Sequence, residues 1–148
     1  MTTRTAACRC GQLTATCRGE PVRVSVCHCH ACQQRTGSAF AAQARWPAED
    51  VEVRGEATVW VRTADSGHRV TYRFCPACGS TVAYEIEGWP GVVAVPYGAF
   101  TGMDMPAPGF SVYEDRKHDW VEIRGEVARS TSESAARRPG LDLLKDRK

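Results

Sequence analysis

Cys75-Pro76-Ala77-Cys78-Gly79 carries the geometry of a metal knuckle. Thiolate zinc is tetrahedral with Zn–S bonds of about 2.3 Å, so its sulfurs lie within about 4 Å of one another. Two intervening residues bring both thiols to one ion. Pro76 pre-sets φ for the turn and Gly79 accepts the positive φ that follows. A knuckle supplies two ligands, and closure needs two more. Cys8-Arg9-Cys10-Gly11 is the complement: residues i and i+2 share one side of an extended segment, and Gly11 lets the chain turn away. Cys8, Cys10, Cys75 and Cys78 are therefore expected to hold a structural zinc that ties the N-terminus to the middle of the chain. Such sites contribute on the order of 10 kcal/mol to folding, comparable to the net stability of a small domain.

A third group, Cys27-His28-Cys29-His30-Ala31-Cys32, offers three thiols. Three thiolates are one short of a closed site, and an open fourth position is what a catalytic zinc keeps. A helical turn over residues 32–36, starting near Ala31, would aim its positive end at these sulfurs and favour thiolates. Either histidine as fourth ligand, or a disulfide switch, are the alternatives. Alternation puts both histidines on the face opposite Cys27 and Cys29, which argues against the first.

Around these groups the chain reads as short strands between turns. Residues 12–18, 22–26, 39–46, 51–54, 57–63, 68–74, 80–86, 92–97 and 120–124 are the strand candidates. Residues 68–74 alternate, with Val70, Tyr72 and Phe74 on one face and Arg69, Thr71 and Arg73 on the wet one. Asp65-Ser66-Gly67 fits a hairpin turn. The expected fold is mainly β, built of small antiparallel sheets stapled by zinc. Cys17 stands alone and is expected in the core.

The order of these motifs resembles the glutathione-dependent formaldehyde-activating enzyme family, which includes the centromere protein V type. Cys-x-Cys-Gly comes first, then Cys-His-Cys-x-x-Cys with Thr36-Gly37-Ser38-Ala39-Phe40 behind it. Phe74-Cys75-Pro76-x-Cys78-Gly79-Ser80 follows, and the likeness runs from about Cys8 to Trp120. The resemblance implies an Mss4-like fold with two zinc ions. Cys8, Cys10, Cys75 and Cys78 match the structural site, and Cys27, Cys29 and Cys32 the catalytic one, whose ion is expected to be exchangeable. It also implies a carbon–sulfur lyase-type activity like that of S-(hydroxymethyl)glutathione synthase, with a glutathione-like thiol and an aldehyde as partners. The alternative is a non-catalytic, zinc-stabilised interaction module.

The 148 residues suit one domain, expected over 1–128, with a basic tail over 129–148. Residues 129–148 carry six basic and three acidic side chains; with a whole-chain charge of +2, the body is left at −1. That argues against a nucleic-acid domain. No apolar run is long enough for a membrane span. The first seven residues lack a secretory apolar stretch, so a cytoplasmic, reducing location is expected, where eight cysteines serve metals rather than disulfides. Leu141, Leu143 and Leu144 are candidates for a docking turn. Phe40, Ser38, Trp89 and Phe100 are candidates to line a pocket. Gly37 and Ser38 are read equally as anion-binding N–H donors or as a plain turn. Trp120 is expected in the core, and Arg35, His68 and His118 on the surface.

Overall fold

The computed structural model describes residues 1–136; Leu141, Leu143 and Leu144 lie outside the described residues. The alternating segments form strands β1 (Thr3–Ala7), β2 (Thr14–Arg18), β3 (Arg23–Cys27), β4 (Ala41–Pro47), β5 (Val51–Arg54) and β6 (Thr58–Thr63). They continue with β7 (Arg69–Phe74), β8 (Thr81–Ile86), β9 (Val92–Pro96), β10 (Phe110–Val112) and β11 (Ala128–Arg129). Helices α1 (His30–Thr36) and α2 (Ser132–Ala136) are short. The protein is mainly β, as its turn-punctuated alternation implies.

A three-stranded antiparallel sheet has the order β1-β2-β5, and an eight-stranded sheet the order β11-β10-β3-β4-β9-β8-β7-β6. From β3 to β6 the larger sheet is antiparallel. Strands β10 and β11 depart from the expected pattern by joining in parallel. Residues 97–109 make a crossover long enough to return the chain in that direction. The Asp65-Ser66-Gly67 turn joins β6 to β7 as expected, with the Gly67 N–H donating to Ala64 O at 2.9 Å.

The small sheet covers one face of the large one. Ala6, Leu13, Ala15 and Cys17 pack there with Val24, Ala44, Trp46, Val93, Val95 and Phe100. Trp46 is the largest fully buried side chain; its ring lies 5.5 Å from Phe100 and its Nε1 donates to Gly19 O at 3.0 Å. Cys17 is in this core, and burial pushes its thiol up to about 12. The opposite face of the large sheet is also buried, although it carries Arg23, Ser25, Gln43 and Arg45. At the far edge, β6 leaves Val59, Trp60 and Val61 exposed, the Trp60 ring stacking on Tyr72.

Three expectations need correction. Strand β1 was not among the candidates; its Thr-Arg-Thr-Ala-Ala sequence buries only Ala6 and gives almost no hydrophobic signal. Residues 120–124 are not a strand, because Val121 N–H closes a turn onto His118 O at 3.0 Å. Trp120 is 76% exposed while Val121 is 6% exposed. The segment alternates with the other phase from the one expected, and a shift of one residue exchanges the faces.

The expected boundary between 128 and 129 falls within β11, and Arg129 Nη1 donates to Glu114 Oε1 at 2.7 Å. Among the described residues, no helix is long and apolar enough to cross a membrane. Trp46→Ala removes the centre of the inter-sheet core and is expected to cost about 3–5 kcal/mol. Urea unfolding of the metal-loaded protein measures it; a loss below about 1 kcal/mol would show that the two sheets do not depend on this contact.

Candidate metal centres and the adjoining cavity

Cys8 and Cys10 flank the turn out of β1, and Cys75 and Cys78 occupy the turn between β7 and β8. The Gly11 N–H donates to Cys8 O at 3.0 Å and the Gly79 N–H to Cys75 O at 2.8 Å, closing both turns. All four sulfurs lie within 4.8 Å of one another. Cys8 Sγ is 3.6 Å from Cys10 Sγ, which is 3.7 Å from Cys75 Sγ. A tetrahedral zinc with Zn–S of about 2.3 Å places its sulfurs about 3.8 Å apart, so this donor set fits the metal.

Hydrogen bonds prepare the same sulfurs for negative charge. Leu13 N–H points at Cys8 Sγ at 3.3 Å, and Gln12 Nε2 donates to Cys75 Sγ at 2.9 Å. A side-chain hydrogen bond with Ser80 and backbone N–H groups pull the Cys78 thiol down to about 5. Gln12 also binds Glu56 through its O at 2.8 Å and its N–H at 2.9 Å. The chain passes so close here that a Cβ on Gly55 would sit 2.1 Å from Gln12 O, at a φ of +107°. Gln12 was not singled out in the sequence; a glutamine after Cys-x-Cys-Gly has no motif signal of its own.

The other three cysteines come from one strand end and one helix start. Cys27 is the last residue of β3, Cys29 caps α1, and Cys32 lies in its first turn. Their sulfurs also lie within 4.8 Å of one another. The Cys32 N–H donates to Cys29 Sγ at 3.4 Å, as expected for a helix start facing the trio. Hydrogen bonds from the Cys27 and Cys32 thiols pull Cys29 down to about 2. The same sharing with Cys29 and Cys32, together with burial, pushes Cys27 well up. Each cluster is thus able to take up a metal ion in exchange for protons.

Neither histidine joins the trio. His30 is exposed, and His28 is buried on the opposite side, its ring 5.8 Å from Phe40. Ser111 Oγ donates to Glu114 Oε1 at 2.5 Å, so it accepts from His28 Nε2–H at 2.9 Å. That fixes the tautomer, and burial lowers the His28 pKa.

Cys27, Cys29 and Cys32 all lie on the wall of a cavity of about 190 Å³; none of the other four ligating cysteines does. Tyr72, Tyr84, Trp89 and Tyr113 form its aromatic surfaces, and Arg23, Arg45 and Arg62 bring its charge. Trp89 is thus a wall residue as anticipated, whereas Phe100 is in the core and Phe40 packs on His28. His68 lines the cavity rather than sitting at the surface. His118 has a partner, Gln33 Oε1 at 2.8 Å from its Nε2, and stacks on Trp120. Arg35 is half-buried behind the wall, its Cζ 5.2 Å from the Tyr84 ring and 5.5 Å from that of Tyr72. The Gly37 N–H goes to Gln33 O and that of Ser38 to Thr36 Oγ1, so both serve the helix end.

Two β-sheets carrying a four-sulfur cage and a three-sulfur set that opens on a cavity define a β domain with two cysteine clusters able to hold metal ions. The family model described as glutathione-dependent formaldehyde-activating enzyme matches residues 3–116, and the chain belongs to this family. A crystal structure of a Rhodobacter sphaeroides protein has a similar fold, with a TM-score of 0.53 and 20% sequence identity. The alignment covers 68% of this chain and 90% of that one. Among curated proteins, none matches.

Gln12→Met removes the N–H donor to Cys75 at little change in volume. It is expected to weaken metal binding at the four-sulfur site by about tenfold or more, read by chelator competition. An unchanged affinity would mean that this hydrogen bond does not support the ligand.

Proposed function

We propose that the protein is a zinc-dependent carbon–sulfur lyase-type enzyme that makes and cleaves a thiol–aldehyde adduct, as in S-(hydroxymethyl)glutathione synthesis. One observation carries this reading. The three-sulfur set opens on a cavity, whereas the four-sulfur set is closed upon itself. Cys8, Cys10, Cys75 and Cys78 would hold a structural zinc, and Cys27, Cys29 and Cys32 a second, exchangeable one. Zinc in the second position supplies a site at which a substrate thiol loses its proton near neutral pH.

The reaction joins the thiol sulfur to the aldehyde carbon. The carbonyl π bond opens, and the proton lost from sulfur ends on the new hydroxyl; the lyase direction reverses these steps. The chain's own residues provide placement. Cys29, at the helix start, accepts the Cys32 N–H at 3.4 Å. Tyr72 and Tyr84 wall off water, and Arg62 Nε donates to Tyr72 Oη at 2.9 Å, fixing that wall. Holding two reactants together in this way supplies most of the acceleration, because three thiolates make any bound dication a mild Lewis acid.

Cys32→Ser leaves the four-sulfur cage intact and is expected to stay folded with one zinc fewer. Exchange NMR with formaldehyde and glutathione should then show adduct formation falling from an enhanced rate to the spontaneous one. A fully zinc-loaded wild type that gives no enhancement would remove this activity and favour the interaction module. Metal analysis of the wild type is expected to give two zinc equivalents per chain, falling toward one on thiol addition; two that persist would count against an exchangeable ion.

A further inference from the structure

The inner wall of the cavity holds charge that the three-sulfur centre does not use. Arg45 is 4% exposed and sits in the middle of the large sheet. Its Nη1 donates to Ser25 Oγ at 2.8 Å and its Cζ lies 4.1 Å from the Trp89 ring centre. Among the described residues, no carboxylate forms an ion pair with it. An aromatic face attracts the guanidinium as a whole but takes none of its five N–H donors, and only one of those donors is placed on Ser25. Burial without a counter-charge is costly, and here it lowers the Arg45 pKa.

The surroundings make the cost greater. Arg23 faces Arg45 across the β3–β4 pair, and its Cζ lies 5.4 Å from the same Trp89 ring. Like charges directly opposed on a sheet repel. Arg62 adds a third guanidinium, and among the described residues the cavity is lined by no Asp or Glu. A dication held by Cys27, Cys29 and Cys32 leaves a single negative charge, which does not balance Arg45 and Arg62 together. The remaining positive charge is matched when an anion enters.

Placement limits what that anion is. Cys27 and Ser25 are alternate residues of β3 and both line the cavity, so Ser25, with Arg45 upon it, lies about 7 Å along the strand from Cys27. The cavity, at about 190 Å³, is smaller than the ~300–1,000 Å³ usual for drug-sized ligands. We infer that Arg45 anchors a carboxylate, and that the substrate of the three-sulfur centre is a compact thiol–aldehyde adduct with its acid group a few bonds from sulfur. This inference rests on the open-centre reading above. Arg45 is then a specificity-determining residue, binding the planar acid through paired N–H donors.

The test uses the full chain loaded with cobalt(II), whose visible spectrum reports thiol ligation, and two probes, 3-mercaptopropionate and its neutral amide. Both are expected to change the spectrum. By calorimetry the acid should bind at least about tenfold more tightly, the usual worth of a charge-assisted hydrogen bond. Arg45→Gln should abolish the preference. Equal affinities of acid and amide in the wild type would overturn the carboxylate site while leaving the open centre standing. A spectrum unmoved by either thiol would overturn both. Full acid preference in Arg45→Gln would also overturn the assignment. The wild-type comparison decides the matter even if that variant fails to fold.

Discussion

Four sulfurs from two distant turns meet within 4.8 Å of one another, and that meeting joins the two sheets of the molecule. Cys8 and Cys10 lie in the turn out of β1 of the small sheet, Cys75 and Cys78 in the turn out of β7 of the large one. Drawing them together lays one sheet over the other and defines which face of the large sheet meets the core of Leu13, Trp46 and Val95. An ion held by these sulfurs would add a fastening between the two sheets beside the apolar core they share.

The opposite face of the large sheet is freed by the same arrangement. Its strands curl so that alternate residues of β3, β4, β7 and β8 look into a common space rather than into solvent. Three sulfurs, three guanidinium groups and several aromatic rings share that space. The helix-capping role of Cys29 couples the trio to local backbone geometry, while the His28–Ser111–Glu114 hydrogen bonds hold the loop from behind. Glu114 also receives Arg129, so the C-terminal strand β11 is part of the support of the trio.

Much of this was legible in the sequence, and the reason is chemical. Cysteine spacing is a strict geometric code, so Cys75-x-x-Cys78 and Cys8-x-Cys10 announced a shared sulfur cluster, and the helix after Cys29 followed from the same logic. Apolar alternation gave the strands where side chains were large, as in β7. It failed for β1, whose small and polar residues carry little signal, and it chose the wrong phase at Trp120. Arg23 and Arg45 were invisible for a different reason. An arginine alternating with valine or alanine normally marks the solvent side of a strand, and only three-dimensional closure shows that this side is enclosed. His68, Arg35 and Gln12 were missed likewise, because their partners lie far along the chain.

Strand β6 ends the large sheet, and among the described residues nothing pairs with its outer side. Thr58-Val59-Trp60-Val61-Arg62-Thr63 has no proline and no lysine there, and its one charge, Arg62, is turned inward onto Tyr72. Unpaired amide and carbonyl groups beside exposed valines form a template for any other extended peptide. Concentrated solutions of this protein therefore face a pull toward end-to-end sheet extension, against which the border has no built-in gatekeeper.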